Sequence, residues 1–290
     1  VAEINLIGLY EKALPSYFSW EEKLSLAKYA GYDFLEISVD ESDEKLSRVL
    51  NVHSEQNDIV LAANKTGVPV LSMCLSANRR YPIGSKCRET RLMGIEIIKG
   101  AVRLSVGIGI RVIQLAGYDE FYNESDHITQ SYFLESLQEC VGFAERYNVM
   151  LAIETMDTEP MGSISNIMSY VNKINSPWLN IYPDIGNMSS RKVDIERDFI
   201  SGRNHIVAVH VKDTREREFR RVGFGEGIVD FDAFFKLMLE INFRGPLVVE
   251  MWSDDELGYV AEVKRAREFL LEKFNDAQRK IVTSPIELSV

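Results

Sequence analysis

Positive charge is the first thing this sequence is short of. Against 44 Asp and Glu stand 33 Lys and Arg, for a formal net charge of −11 and a pI near 5.0. Such a surface repels phosphate backbones, which argues against nucleic acid as a partner. It leaves room for a small phosphorylated substrate, because a few local Lys or Arg outweigh the global field. Histidine is scarce, with four in the chain. The three cysteines, Cys74, Cys87 and Cys140, are an odd number without C-x-x-C spacing, which fits free thiols in a reducing cytosol rather than a disulfide framework. No apolar run reaches the ~18–20 residues that span a bilayer, so no membrane partner is expected. No basic segment followed by a long apolar one opens the sequence, so a signal peptide is not expected and a cytoplasmic location is. No Pro/Gly/Ser-rich linker divides the chain either. Residues 1–290 therefore read as one domain with a loose tail from about 284, and a length of 290 residues with 46% hydrophobic content suffices for one large core.

Against these absences stands a regular alternation of strand-like and helix-like stretches. Ile4-Asn5-Leu6-Ile7-Gly8-Leu9-Tyr10 reads as a strand. Ser19 before Trp20-Glu21-Glu22 reads as a helix N-cap with acidic first-turn residues, the helix running to about Ala30 with Gly31 as its stop. Further strands are expected over 34–39, 70–75, 111–116, up to Glu154, up to Asp184, over 206–213 and over 247–251. Helices are expected over 54–66, 87–106, 127–147, from Ser165 onward, over 194–201, 230–241 and 259–274. A loop of roughly fifteen residues after Lys212 has a length usually reserved for function or mobility. Strands alternating with helices imply a parallel sheet, and eight such units imply an α/β fold closed into a single (β/α)8 barrel.

Four of the strand-like runs are hydrocarbon until their C-terminal ends and then turn polar. Leu151-Ala152-Ile153 ends in Glu154, and Leu179-Asn180-Ile181-Tyr182-Pro183 ends in Asp184. Ile206-Val207-Ala208-Val209 leads into His210, Lys212 and Asp213, and Leu247-Val248-Val249 ends in Glu250. In a barrel of parallel strands these ends converge on one face. Three carboxylates there would repel each other without a cation, and an imidazole beside them adds a nitrogen donor, so Glu154, Asp184, His210 and Glu250 are read as ligands of one divalent metal. An O3N set suits Mn, Mg, Co or Zn, and ligand type does not choose among them. Plainer readings compete. Glu154 or Glu250 could form a rim salt bridge with Lys212 or Arg215, and Asp184 before Ile185-Gly186 could make an Asx-turn. Of the other histidines, His205 opens its strand and reads as structural, while His53 and His127 sit near helix starts and read as solvated.

At this point the sequence resembles a known family. Gly8-Leu9-Tyr10-Glu11-Lys12-Ala13-Leu14-Pro15, Met73-Cys74-Leu75-Ser76-Ala77-Asn78-Arg79-Arg80, Ile113-Gln114-Leu115-Ala116-Gly117-Tyr118-Asp119, Tyr182-Pro183-Asp184-Ile185-Gly186-Asn187 and His210-Val211-Lys212-Asp213-Thr214 are similar to the L-ribulose-5-phosphate (L-xylulose-5-phosphate) 3-epimerases. So are Phe224-Gly225-Glu226-Gly227 with Val229-Asp230-Phe231, and Glu250-Met251-Trp252. These are xylose-isomerase-like barrels, some under the older label hexulose-6-phosphate isomerase. The resemblance implies that Glu154, Asp184, His210 and Glu250 bind the metal and that the substrate is a pentulose phosphate. One departure is Asn78, where the family's pattern leads one to expect histidine.

The residues support that chemistry on their own terms. A ketone at C2 acidifies the C3–H bond, and a metal chelating O2 and O3 would stabilise a cis-enediolate. Inversion at C3 needs a base on one face and an acid on the other, and Glu154 and Glu250 are the expected pair, exchanging roles with direction. Phosphate needs donors: Lys12, Arg79, Arg80, Lys212 and Arg215 are the candidates, with Arg217 beside them. Asn187 could bond a substrate hydroxyl, Tyr10 and Trp252 could wall the sugar pocket, and Asp157 and Glu36 are expected to support the ligands from behind. The rivals are an aldose–ketose isomerase of the same fold, a zinc phosphodiesterase acting on abasic DNA, and a non-catalytic sugar-phosphate binding protein. The phosphodiesterase would need several more histidines and a basic face. A homodimer is compatible with this architecture, but no patch in the sequence identifies its interface.

Overall fold

A computed structural model describes residues 6–51, 55–253 and 258–283. Its strands are β1 (Ile7–Tyr10), β2 (Phe34–Val39), β3 (Val70–Leu75), β4 (Val112–Leu115), β5 (Met150–Glu154), β6 (Leu179–Tyr182), β7 (Val209–Val211), β8 (Asp213–Arg215), β9 (Glu218–Val222) and β10 (Leu247–Val249). Eight of them form one parallel ladder in the order β6-β5-β4-β3-β2-β1-β10-β7. The bridges Ile181–Ile206 and Asp184–His210 join its two ends, so the sheet closes into the expected barrel. β8 and β9 stand apart as an antiparallel hairpin. The helices are α1 (Trp20–Tyr29), α2 (Asp43–Leu50), α3 (Gln56–Thr66), α4 (Arg88–Ile108), α5 (His127–Arg146), α6 (Ile164–Ile174), α7 (Ile185–Ser190), α8 (Ile195–Gly202), α9 (Phe231–Glu240) and α10 (Tyr259–Thr283).

Period-two alternation sorts each strand into an outward and an inward row. The outward row, with Ile7, Leu9, Leu35, Ile37, Ile153, Ile181, Val209 and Val249, packs into the main hydrophobic core with residues of the helices. The inward row includes a small separate cluster of Tyr10, Phe34, Cys74, Ala152, Tyr182, Ala208 and Val248. Gly8 belongs to this arrangement because a Cβ there would lie 2.3 Å from the Phe34 ring, so its bare backbone makes room for the aromatic plug. Two residues beyond the inward Ala152, Tyr182, Ala208 and Val248 come Glu154, Asp184, His210 and Glu250. The four candidate ligands are thus the next inward layer, at the C-terminal mouth of the barrel.

Several local expectations hold in detail. Ser19 caps α1 in a reciprocal capping box with Glu22, and β2 and β3 have the expected limits. Others need correction. The loop after Lys212 is largely the β8–β9 hairpin, with Arg217 and Arg221 in the left-handed region at φ 66° and 64°. α2, which follows an Ser42 cap, was not expected. α10 runs on to Thr283 rather than ending near Phe274. The expected start of β1 at Ile4-Asn5, Ser54, His53 and the tail from 284 lie outside the described residues.

Candidate active site

Glu154, Asp184, His210 and Glu250 each offer one ligand atom, and these atoms all lie within 4.8 Å of one another. His210 Nδ1 is 3.1 Å from Glu154 Oε1 and 4.0 Å from Glu250 Oε2. An ion with ligands at about 2.1 Å sets its donors roughly 3–4 Å apart, close to what this cluster offers. Both plainer readings hold at the same time. Asp184 caps α7 by accepting from the Asn187 N–H, and Glu250 accepts from Lys212 at 2.8 Å. Neither role uses up the carboxylate. Among the described residues this is the only such cluster of three or more metal-ligating side chains.

The surroundings fit a cation. Glu36 Oε1 stands 2.5 Å from His210 Nε2, while Ser72 and Tyr182 donate their hydroxyl hydrogens to its other oxygen at 2.7 and 2.8 Å. That is the carboxylate–histidine arrangement that fixes a ligand ring and leaves Nδ1 for the metal. Gln114 donates to Glu154 Oε2. Lys212 enters the same pocket, its ammonium 2.5 Å from Asp184 and 2.8 Å from Glu250. Four buried carboxylates therefore face one ammonium and one imidazole, leaving net negative charge in a low-dielectric cavity. Burial would favour a neutral His210 ring, but Glu36, then Glu250 and Glu154, drive its pKa well above the ordinary value. Asp184 is pushed up by burial, with Lys212 opposing and Glu250 and Glu154 adding to the rise. For Glu250 burial also raises, but Lys212 and His210 outweigh it and carry its carboxyl down. A divalent ion would relieve this imbalance, and the donor set and the oriented imidazole suit one.

The cavity above the cluster, about 100 Å³, is lined by Tyr10, Lys12, Arg79, Asp157, Asn187 and Lys212, with Trp252, Arg220 and others. Of the four candidate ligands, only Glu154 and Glu250 line it. They are 5% and 7% exposed, whereas Asp184 and His210 are 0%, so the two glutamates meet the solvent side and the other two lie behind. A second cavity of about 360 Å³ adjoins it, sharing Glu250 and Trp252.

The expected phosphate donors separate. Arg79 lines the cavity with its guanidinium over Tyr118 and Phe121. Lys12 reaches the cavity but is paired with Asp40 at 2.5 Å. Arg80 turns away to Asp43, at 2.6 Å on the first residue of α2, and Arg215 pairs with Glu218 and Glu226 on the exposed hairpin. Neither of these last two lines either cavity. Lys212 points into the ligand cluster because it is the next inward residue after His210. Asn187 spends its side-chain N–H on the Thr155 carbonyl, and Asp157 accepts from Tyr118. Asn78, at the departure from the family's pattern, holds the Tyr81 and Gly94 carbonyls and serves the loop leading to α4. His205 is bonded to Asn180, and His127 is exposed at the start of α5.

Sequence reasoning missed Arg220 and Glu11. Arg220 lies over the Trp252 ring at 5.4 Å. It stands beside Phe219 on β9, and nothing in its sequence surroundings sets it apart from Arg221. Glu11 is a buried carboxylate that meets Lys23, Lys45 and Arg48 at 2.8, 3.0 and 2.6 Å and accepts from the Ser38 N–H. Its cationic partners come from two other helices, Lys23 from α1 and Lys45 and Arg48 from α2, so no local signal announces it.

Comparison with known proteins agrees with the geometry. The family described as Xylose isomerase-like TIM barrel matches residues 24–273. The L-ribulose-5-phosphate 3-epimerases UlaE of Shigella boydii and of Escherichia coli are each 46% identical over 264 residues, covering 91% of this chain and 93% of theirs. Among solved structures, an L-ribulose 3-epimerase superposes with TM-score 0.79 at 18% identity, over 97% of this chain and 99% of its own. The 3-keto-D-glucoside 4-epimerase of E. coli does so with 0.76 at 19%, over 93% and 100%. At those identities the structural likeness speaks to the fold. Among the described residues no helix is long and apolar enough to cross a membrane.

Proposed function

The chain belongs to the xylose isomerase-like TIM barrel family, and from that premise we propose that it is a metal-dependent epimerase inverting C3 of a pentulose 5-phosphate, between L-ribulose 5-phosphate and L-xylulose 5-phosphate. The observation that carries this reading is the placement of Glu154 and Glu250 as the two carboxylates of the cluster that line the cavity. The names of the 46% identical relatives supply the substrate.

In this reading Glu154, Asp184, His210 and Glu250 hold one Mn, Zn, Mg or Co ion. When bound, that ion supplies Lewis acidity to the C2 carbonyl and charge neutralisation for a cis-enediolate. The remaining work falls to the chain. One glutamate takes the C3 proton, and the other returns a proton to the opposite face; for the reverse direction they exchange roles. Gln114 holds Glu154, and Lys212 holds Glu250, so each carboxylate is aimed before substrate arrives. Tyr10 and Trp252, packed edge to face at 6.1 Å, wall the sugar and restrict water. The exposed Cys87 thiol suits a reducing compartment, which supports a cytoplasmic location.

An aldose–ketose isomerase is the second reading. A hydride-shift version would need a second metal site, and among the described residues only one cluster of three or more potential ligands is found. Proton NMR of the ketose phosphate in D2O with added Mn or Zn separates the two. The proposal expects loss of the H3 resonance and appearance of the C3 epimer with the C1 protons retained. An aldose product, or exchange confined to C1, would overturn it.

A further inference from the structure

Tyr10 faces two ways. Its ring lines the cavity, 6.2 Å from the His210 ring and 6.1 Å from the Trp252 ring. Its hydroxyl meets Ser38 Oγ at 3.0 Å, with the Cys74 thiol as a second polar neighbour. Ser38 is fully buried and lines neither cavity, so the hydroxyl is engaged behind the wall rather than in the pocket.

Ser38 is itself held by side chains, at a point where strand pairing has ended. The β1–β2 ladder stops at Tyr10 opposite Glu36. Beyond it, the Ser38 N–H donates to Glu11 Oε2 at 2.8 Å, and the Ser38 carbonyl accepts from Arg48 Nη1 at 2.9 Å. Arg48 also forks onto Glu11, at 2.6 and 3.0 Å. Lys23 and Lys45 complete the shell around that carboxylate. Glu11 and Arg48 are 2% and 3% exposed. Exchanging a buried ion pair for hydrocarbon of the same shape is often neutral or stabilising, so stability alone does not account for a pair placed here. What the pair does hold, at both backbone groups, is the residue that holds Tyr10. Glu11, Arg48 and Ser38 are neither in the ligand cluster nor in the lining of either cavity.

We propose that Ser38, fixed by the Glu11–Arg48 pair, is a positioning residue for Tyr10: it draws the hydroxyl out of the cavity and sets the ring as a wall that keeps water from the reacting face of the sugar. The proposal rests on the epimerase reading for what the wall protects, and not for how the ring is set. In that reading the C3 proton sits on one glutamate while the enediolate lasts. Water that reaches the glutamate exchanges this proton for one from solvent, whereas a carboxylate shielded from water keeps it.

The test pairs a binding measurement with an isotope measurement on the metal-loaded protein. It compares wild type, Ser38→Ala, Tyr10→Phe, the double variant and Arg48→Lys. Affinity for a pentitol 5-phosphate, which has no carbonyl and cannot react, is read by calorimetry. Deuterium in the ketose phosphate recovered from D2O, per molecule of epimer formed, is read by mass spectrometry. Loss of the buried hydrogen bond should weaken binding about five-fold in each single variant and raise the deuterium ratio by a similar factor. The double variant should match the singles, because the same bond is lost in all three. Arg48→Lys keeps a charge beside Glu11 but not the fork, and should move both readouts in the same direction. Wild-type readouts in Ser38→Ala, or single effects that multiply in the double variant, overturn the proposal. So does a lowered urea midpoint with the deuterium ratio unchanged, which would make Ser38 merely structural. An Arg48→Lys protein with wild-type readouts overturns the part given to the ion pair. If the binding losses coincide in the three Ser38 and Tyr10 variants while wild type exchanges no H3, the positioning stands and the epimerase reading falls. If H3 exchanges and the binding losses multiply, the reverse holds.

Discussion

Glu36 Oε1 lies 2.5 Å from His210 Nε2, on the opposite side of the ring from Glu154 and Glu250. Both residues are fully buried, so the contact fixes the ring in one orientation and tautomer when the site is loaded. Glu36→Gln keeps the shape but reverses or weakens the bond. Metal affinity is expected to fall about ten- to a hundred-fold, read by competition with a chromophoric chelator. An affinity within two-fold of wild type would show that the ring needs no such support.

The two cavity-lining glutamates should behave alike. Glu154→Gln and Glu250→Gln are each expected to lower C3–H exchange by at least about a thousand-fold, within the range for loss of a general acid or base. The variants still have to be metal-loaded, which is checked by metal analysis of the purified protein. A loaded Glu250→Gln protein that exchanges at the wild-type rate would remove Glu250 from proton transfer.

The barrel fold and the convergence of the four candidate ligands are legible in the sequence for one reason: inward rows repeat every second residue. Ala152–Glu154, Tyr182–Asp184, Ala208–His210 and Val248–Glu250 share that spacing, and ring closure does the rest. The same rule, carried two residues past His210, would have sent Lys212 inward, where it meets Asp184 and Glu250. In sequence it stands with Arg215 and Arg217 and looks like one more rim cation. Arg80 and Arg215 looked like phosphate donors because a side chain's partner across the fold is not written beside it. Asp43 and Glu226 claim them. Glu218-Phe219-Arg220-Arg221-Val222 has little apolar content to mark a strand, and most of it stays exposed, so the β8–β9 hairpin looks like a loop in the sequence.

Glu11 gives a stability prediction with a definite sign. Burial alone would raise its carboxyl, but Arg48, Lys45 and Lys23 together hold it well below the usual range. A depressed native pKa stabilises the fold fully above the unfolded value of about 4.3, and that contribution is lost as pH falls toward the native value. Glu11→Gln leaves three cations without their counter-charge. It should cost about 3–5 kcal/mol at pH 7, with the gap to wild type narrowing at acid pH. Urea denaturation of both proteins at neutral pH and near pH 3 (roughly one unit below the unfolded value) measures it. A gap that is constant with pH would mean that ionised Glu11 does not carry the stabilisation.

Asp213 should govern the hairpin rather than the chemistry. Asp213→Ala removes the acceptor of four backbone N–H groups. Hydrogen–deuterium exchange over residues 214–229 is expected to accelerate, and KM for the ketose phosphate to rise about ten-fold, the scale of one lost charged hydrogen bond. Unchanged exchange in that segment would show that the loop is held by its other contacts.

Removal and return of metal tests the centre of the proposal most directly. The protein is chelated exhaustively, its residual metal content is measured, and H3 exchange of the ketose phosphate in D2O is followed as Mn or Zn is added back. The expected result is no exchange in the stripped protein and full recovery at one equivalent per chain, with no recovery in an Asp184→Ala, His210→Ala protein. Full exchange by the stripped wild-type protein would contradict it.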